Sequence, residues 1–326
     1  MDRVEEIVDA VAAGTGFSGV VRVDSGGRTF AKAYSFAHRG LRVRNTVGTR
    51  FALASGTKGL TALTIAALAE RGVLGLDTTA RSLLGADLPL IGDEVTVGHL
   101  LAHTSGIGDY CDEEAGRPVT DHVLPVPVHE LESTEDYLGV LDGHPPKFPP
   151  GQRFSYCNSG YVVLALLAER AARRPFPDLV RELVCEPAGM AATAFLRSDE
   201  PAAGVALGYL GQTRTNVFHL PVTGSGDGGV YSTAADVHAF WAALFAGRIV
   251  PLSRVREMTA ARSGVPSEAM RYGLGFWLDG DAVVLEGYDA GVSFRTAYRP
   301  EVTCTVLSNT AEGAWPLARR LAELTA

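Results

Sequence analysis

Ser55-Gly56-Thr57-Lys58 puts a hydroxyl and an amine three residues apart at the start of a run of helix-forming residues. On a helix, positions i and i+3 share one face about one turn apart, so the two side chains can meet. A serine hydroxyl is a weak nucleophile until a base removes its proton. A lysine, with an ordinary pKa near 10.4, becomes that base only when burial or a neighbouring positive charge lowers it. The apolar residues Phe51-Ala52-Leu53-Ala54 just before the motif supply surroundings for such burial. A serine near a helix N-terminus also has unpaired backbone N–H groups at hand to stabilise an oxyanion. Taken alone, the same four residues read more readily as a serine N-cap followed by a surface lysine, because the pattern is short and common.

The elements around this motif can be read from periodicity. Residues 2–13 place Val4, Ile7, Val8 and Val11 on one helical face, with Gly14 as the stop, and the β-rich run FSGVVRV (17–23) follows. Ser25-Gly26-Gly27 reads as a hairpin turn into a second strand at 28–38. From Ser55 to Arg71 nearly every face is apolar until Glu70, and Gly72 stops the run, which predicts a buried central helix. Helices are predicted at 96–102, 134–141, 159–173 and 176–186, then at 233–247, with Thr233 as N-cap, and at 251–262. Strand character returns at 272–279, 282–287, 292–299 and 302–309, closed by a helix at 311–325. Strands at both ends with helices between them imply a sheet lobe formed by 1–72 and 221–326, interrupted by a mainly helical lobe at 73–220.

Composition narrows the functional classes. The chain has 326 residues, 46% hydrophobic and 20% charged, enough for a substantial core, and a net charge of −8 with no basic cluster, which argues against nucleic acid and anionic membranes as partners. The apolar runs LTALTIAALA and YVVLALLA fall short of the roughly 20 residues that span a bilayer. MDRVEEIVDAVAAG is acidic where a secretory signal needs a basic region. Cys111, Cys157, Cys185 and Cys304 show neither zinc nor disulfide spacing, so reduced thiols in a cytoplasm are expected. Oligomeric state is left open.

The segment FALASGTKGLTALTIAALAERG (51–72) resembles the active-site helix of the serine β-lactamase and penicillin-binding-protein superfamily, particularly its class C and esterase branch. VTVGHLLAHTSGIGDY (95–110), FPPGQRFSYCNSGYVVLALLAER (148–170), GSGDGGVYSTAADVHAF (224–240) and RYGLGFWL (271–278) look like further blocks of that family, in its order, so the resemblance covers about residues 17 to 310. It implies an α/β (α+β) fold, an antiparallel sheet flanked by helices with an inserted helical lobe and the active site in the cleft between them. It also implies that Ser55 is the nucleophile and that Lys58 and Tyr156 handle protons. Asn158, in the Tyr156-Cys157-Asn158 motif, would hold the lysine and a substrate carbonyl. On this reading Lys58 lets the Tyr156 phenol act as a base. His103 belongs to a structural turn, Asp227 and Asp236 are loop and helix-start residues, and Phe240, Trp241 and Leu244 are core.

The third motif departs from the family, which carries Lys or His, then often Ser or Thr, then Gly. The matching stretch here is Leu285-Glu286-Gly287, a register set by the following Gly291-Val292-Ser293. Gly287 would allow close approach of a substrate backbone, and the Tyr288 N–H would be the second oxyanion donor beside that of Ser55. Glu286 would repel the carboxylate of β-lactams and of peptidyl-D-alanine, unless strand alternation turns it away from the cleft. The expected activity is that of a serine hydrolase or acyltransferase acting on a neutral or cationic small-molecule ester or amide, with no metal or organic cofactor. A D-stereospecific peptidase, a β-lactamase and a non-catalytic binding protein on the same scaffold are the alternatives.

Overall fold

The first and last strands of the sheet lie side by side, so the two ends of the chain build one structure. The computed structural model describes residues 1–116, 118–200 and 202–325. Strands β1 (Gly19–Ser25), β2 (Arg28–Tyr34), β3 (Ser263–Val265), β4 (Met270–Tyr272), β5 (Trp277–Asp279), β6 (Ala282–Asp289), β7 (Val292–Arg299) and β8 (Val302–Ser308) form an antiparallel sheet in the order β2-β1-β8-β7-β6-β5-β4-β3. β1 meets β8 with Val20 opposite Leu307, and Gly26 and Gly27 turn β1 into β2 at φ of 56° and 73°.

Strand alternation divides the core in two. Val21, Val23, Val306 and Cys304 face α1 (Asp2–Thr15) and the C-terminal helix, whereas Val20, Leu285, Phe294 and Leu307 face the central helix α2 (Thr57–Glu70). Twelve consecutive residues of α2, Thr57 to Leu68, are buried, as its unbroken apolar circumference requires. Against α2 packs α3 (Asn158–Ala172); α4 (Ala234–Phe245) joins the same side of the sheet through the Trp241 indole, which donates to Thr296 Oγ1 at 2.9 Å. The C-terminal helix α5 (Ala314–Thr325) completes the layer with α1. Among the described residues no helix is long and apolar enough to cross a membrane.

Several boundaries move from their sequence-read positions for local reasons. α1 continues through Gly14 and stops at Gly16, whose φ of 65° ends it. The second strand breaks at Ser35, φ 59°, leaving Phe36–His38 as a separate short strand. The run at 272–279 is two strands, β4 and β5, folded on each other with Trp277 opposite Tyr272 around Gly275 at φ 88°. The helix read at 251–262 ends at Met258, and the chain goes on into β3, which the sequence reading omitted. Ser55 precedes α2 rather than opening it, in a single 3-10 turn, Ala54–Gly56.

Candidate active site

That turn is anchored from outside. The two-residue strand Phe51–Ala52 pairs with Val230–Ser232, and Leu53 N donates to Val230 O at 2.8 Å. Ala54 then takes φ 45°, a left-handed conformation uncommon for a residue with a side chain and found disproportionately at functional sites. Lys58, one helical turn on, is 2% exposed. Its Nζ donates to Ser55 Oγ at 2.9 Å, to Asn158 Oδ1 at 2.8 Å and to the Asp227 carbonyl at 2.9 Å. A buried amine tolerates desolvation only when its hydrogens have acceptors, and here three acceptors match three hydrogens. The Tyr156 and Tyr161 rings lie 4.9 and 5.7 Å from the same nitrogen.

Asn158 opens α3, and the buried Asp109 carboxylate caps that end by accepting from Asn158 N at 2.8 Å and Ser159 N at 2.9 Å. Burial outweighs these bonds and pushes the Asp109 carboxyl up to about 6. The Asn158 amide nitrogen donates to Cys111 O at 2.9 Å and to Glu113 Oε1 at 3.3 Å. The carboxamide that the resemblance offered to a substrate carbonyl therefore has its nitrogen engaged by the chain itself.

Tyr156 lies between the rings of Trp277, parallel to within 13° at 5.9 Å, and His103, at 4.3 Å. Burial, then the Glu113 carboxylate, push its phenol well above the ordinary value, while a hydrogen bond with the Ser55 side chain works in the other direction. Desolvation disfavours phenolate, which weighs against the expectation that Lys58 lets this tyrosine act as a base.

β6 runs past the turn. Gly287 is demanded by the chain itself, because a Cβ there would lie 2.1 Å from Leu53 O and 2.8 Å from Ser55 N. The sequence reading gave that close approach to a substrate backbone; the nucleophile turn occupies it. Glu286 stands opposite Arg295 on β7 and forms an ion pair with its guanidinium, which also reaches Asp279 at 3.1 Å. Burial raises the Glu286 carboxyl and Arg295 opposes the rise. Glu286 lines the cleft, but not as the bare carboxylate the sequence suggested, since the pairing arginine could not be foreseen without the β6–β7 register. Tyr288 is 46% exposed, with its hydroxyl on Glu312 Oε1 at 3.0 Å.

Two cavities meet at Ser55. One, of about 680 Å³, is lined by Phe154, Tyr156, Trp277, Glu286, Tyr288 and Trp315; the other, of about 800 Å³, by Tyr110, Glu113, Asn158, Asp227 and Asp289. Tyr110 donates to Asp227 Oδ2 at 2.5 Å, and burial raises both Asp227 and Asp289, the latter to about 7. The sequence reading missed Asp109, Glu113, Trp277 and the Asp227 carbonyl as parts of this site. Asp109, Trp277 and Asp227 lie within blocks that carried the family resemblance, but no spacing rule links them to Ser55. Among the described residues no group of three His, Cys, Asp or Glu side chains is arranged to hold a metal ion. A serine hydroxyl on a lysine nitrogen, with a phenol beside it, is an arrangement able to perform acyl transfer.

The sequence model of the family described as Beta-lactamase matches residues 4–326. A penicillin-binding protein of Bacillus subtilis (strain 168) is 29% identical over 282 residues, 80% of this chain and 60% of that protein. Esterase EstB of Burkholderia gladioli is 34% identical over 158 residues, 46% of this chain and 40% of that enzyme. The crystal structure of a penicillin-binding protein from Bacillus halodurans superposes with a TM-score of 0.91 at 33% identity, over 97% of this chain and 99% of the other. The chain spans about 60% of the length of the first curated relatives it matches.

Proposed function

Because this chain belongs to the Beta-lactamase family, we propose that it is a serine hydrolase that cleaves an ester or an amide through an acyl-enzyme on Ser55. The observation that carries the reading is the set of partners on Lys58 Nζ. Two of the three are carbonyl oxygens, which only accept; the third, Ser55 Oγ, is a hydroxyl, which can also donate. The same geometry thus serves an ammonium and an amine that takes the Ser55 proton. In the first half-reaction Oγ attacks the carbonyl carbon as its proton passes to Lys58, and the oxyanion is met by the backbone N–H groups of Ser55 and Tyr288. When the bond to the leaving oxygen or nitrogen breaks, Tyr156 protonates the leaving group and is reprotonated from Lys58. Water then repeats the steps in reverse roles and releases the acid.

For the substrate we favour a neutral or cationic small molecule, since Glu113, Glu114, Glu268 and Glu286 line the first cavity along with Arg153. The similarity to esterase EstB supports the ester form. The similarity to penicillin-binding proteins supports a second reading, in which a β-lactam acylates Ser55. A D-stereospecific peptidase is a further variant of the same chemistry. We assign residues 1–72 and 221–326 to a sheet lobe, 73–220 to a mainly helical lobe, and the protein to the cytoplasm, which the four free thiols support. Intact-mass spectrometry after treatment with a fluorophosphonate should show one adduct on the wild type and none on Ser55→Ala. Benzylpenicillin in a parallel sample tests the second reading. An unlabelled wild type, or a label that persists in Ser55→Ala, would remove Ser55 from the mechanism.

A further inference from the structure

We infer that His103 is a positioning residue for Tyr156, holding the backbone on both sides of the phenol so that its hydroxyl stays on Ser55. The inference rests on the proton-transfer role proposed above for Tyr156. That tyrosine sits in an irregular stretch between the Pro149-Pro150-Gly151 turn and α3, so no regular ladder fixes it. The turn at residues 103–106 serves instead. Its carbonyls accept from the loop at three places: Ser155 N to His103 O at 2.9 Å, Gly151 N to Thr104 O at 2.7 Å and Lys147 N to Gly106 O at 2.7 Å. A fourth bond comes from a side chain, with Cys157 N donating to His103 Nδ1 at 3.1 Å. His103 therefore accepts the backbone N–H groups of the residues immediately before and after Tyr156, and its ring lies against the phenol at 4.3 Å with 34° between the planes.

Three features indicate that the imidazole is there for its Nδ1 and not as a packing ring. His103 is 1% exposed, at φ 54°, a left-handed conformation that side chains adopt rarely and at a strain. Accepting the Cys157 N–H puts the ring proton on Nε2; the ring packs against Tyr161, Tyr272 and Phe154, and Nε2 is buried with no hydrogen-bond partner among the described residues. A buried N–H without a partner is unfavourable, and a phenylalanine or leucine would avoid it; what neither could do is accept the N–H of residue 157. Burial and the nearby Lys58 hold the ring pKa far below its ordinary value, so Nδ1 keeps its lone pair for that bond.

The test uses side chains that separate the acceptor from the volume. Asparagine places its Oδ1 where histidine has Nδ1 and tolerates the left-handed backbone; leucine fills space and accepts nothing; glutamine reaches the Nε2 position instead. kcat and KM for a p-nitrophenyl ester would be measured per active site titrated with fluorophosphonate, with melting temperatures alongside, in wild-type and Tyr156→Phe backgrounds. His103→Leu should lower kcat about 10–100-fold with little change in KM, the effect of a reacting group misplaced by under an ångström or so. His103→Asn should recover most of that loss, and His103→Gln should behave like leucine, which keeps the test open if His103→Leu does not fold. In the Tyr156→Phe background His103→Leu should cause no further loss. Equal damage from Leu and Asn, a fall in melting temperature without a fall in kcat per titrated site, or a loss that persists in Tyr156→Phe would each overturn the inference. Wild-type kcat in Tyr156→Phe would sink the proposed role of the phenol along with it, whereas a crippled Tyr156→Phe beside a fully active His103→Leu would sink this inference alone.

Discussion

Asp289 closes β6 where the strand meets the second cavity, and its carboxylate accepts a hydrogen bond from Ala290 N at 2.7 Å. The surrounding charges are Asp227 and Glu113, which repel its negative form, and Lys58, which favours it; burial dominates and lifts the carboxyl to about 7. In the unfolded chain the same group titrates near 3.9, so between about pH 4 and pH 7 the folded protein holds this proton more tightly. Stability contributed by that proton is fully present below the unfolded pKa and is lost as pH rises through the folded one. About three pKa units correspond to about 4 kcal/mol; because the side chain is only partly shielded from solvent at the cavity wall, about 2–4 kcal/mol is the usable figure. Asp289→Asn keeps an oxygen for Ala290 N and removes the charge. Urea unfolding at about pH 8 and about pH 5.5 should therefore find the variant more stable than wild type at the higher pH, by at least about 2 kcal/mol, with a smaller difference at the lower. Asp109, lifted to about 6 by burial, adds a slope of the same sign in both proteins, so the comparison between them carries the test. A variant less stable than wild type at about pH 8, or a pH slope identical in the two, would show that the carboxylate is not held at a cost.

Lys58→Ala and Tyr156→Phe should each lower kcat by about 10³-fold or more, with the double mutant far from additive, because groups that move one proton fail together; additive losses in steady-state assays would mean separate roles. Gly287→Ala should displace the turn that carries Ser55, lowering kcat about 100-fold and stability by about 1–3 kcal/mol, and normal activity with an unchanged melting temperature would contradict the close packing of β6 on Leu53. Glu286→Thr should leave Arg295 paired with Asp279 alone and raise turnover of an anionic cephalosporin relative to a neutral ester by about tenfold, less at high salt. An equal response from both substrates would separate Glu286 from substrate choice.

How much of this was legible in the sequence follows from the range of each interaction. α2 and β6 to β8 were readable because their apolar patterns are local and long, and Lys58 could be paired with Ser55 because both stand on one helical turn. The short strands Phe51–Ala52 and Val230–Ser232 carry no usable period, yet they set the nucleophile turn. Asp109 and Asn158 are 49 residues apart, and Lys58 and the Asp227 carbonyl are 169 apart; no local rule brings such pairs together. The break of 272–279 into two strands was hidden because glycine at 273 and 275 reads as a weak strand residue, whereas Gly275 sits in the link between β4 and β5 at φ 88°. His103 was readable as a turn residue, but only the structure puts its ring behind Tyr156.

The buried charges around Ser55 bear on both proton carriers at once. Lys58 opposes the rise that burial imposes on the Asp227 and Asp289 carboxyls, so the amine and the two acids are electrostatically coupled across the site. Burial, and then Glu113, Glu286 and Asp227, raise the Tyr156 phenol. Burial and these negative charges together disfavour the phenolate. That direction favours the proposed division of labour, in which Lys58 accepts the proton of Ser55 and Tyr156 delivers one to the leaving group. Burial likewise makes Asp289 and Asp109 unfavourable as anions in the folded state, with Asp227 and Glu113 adding to the effect at Asp289, so the pH-dependent loss of stability argued for Asp289 and the disfavoured phenolate share desolvation as their main cause.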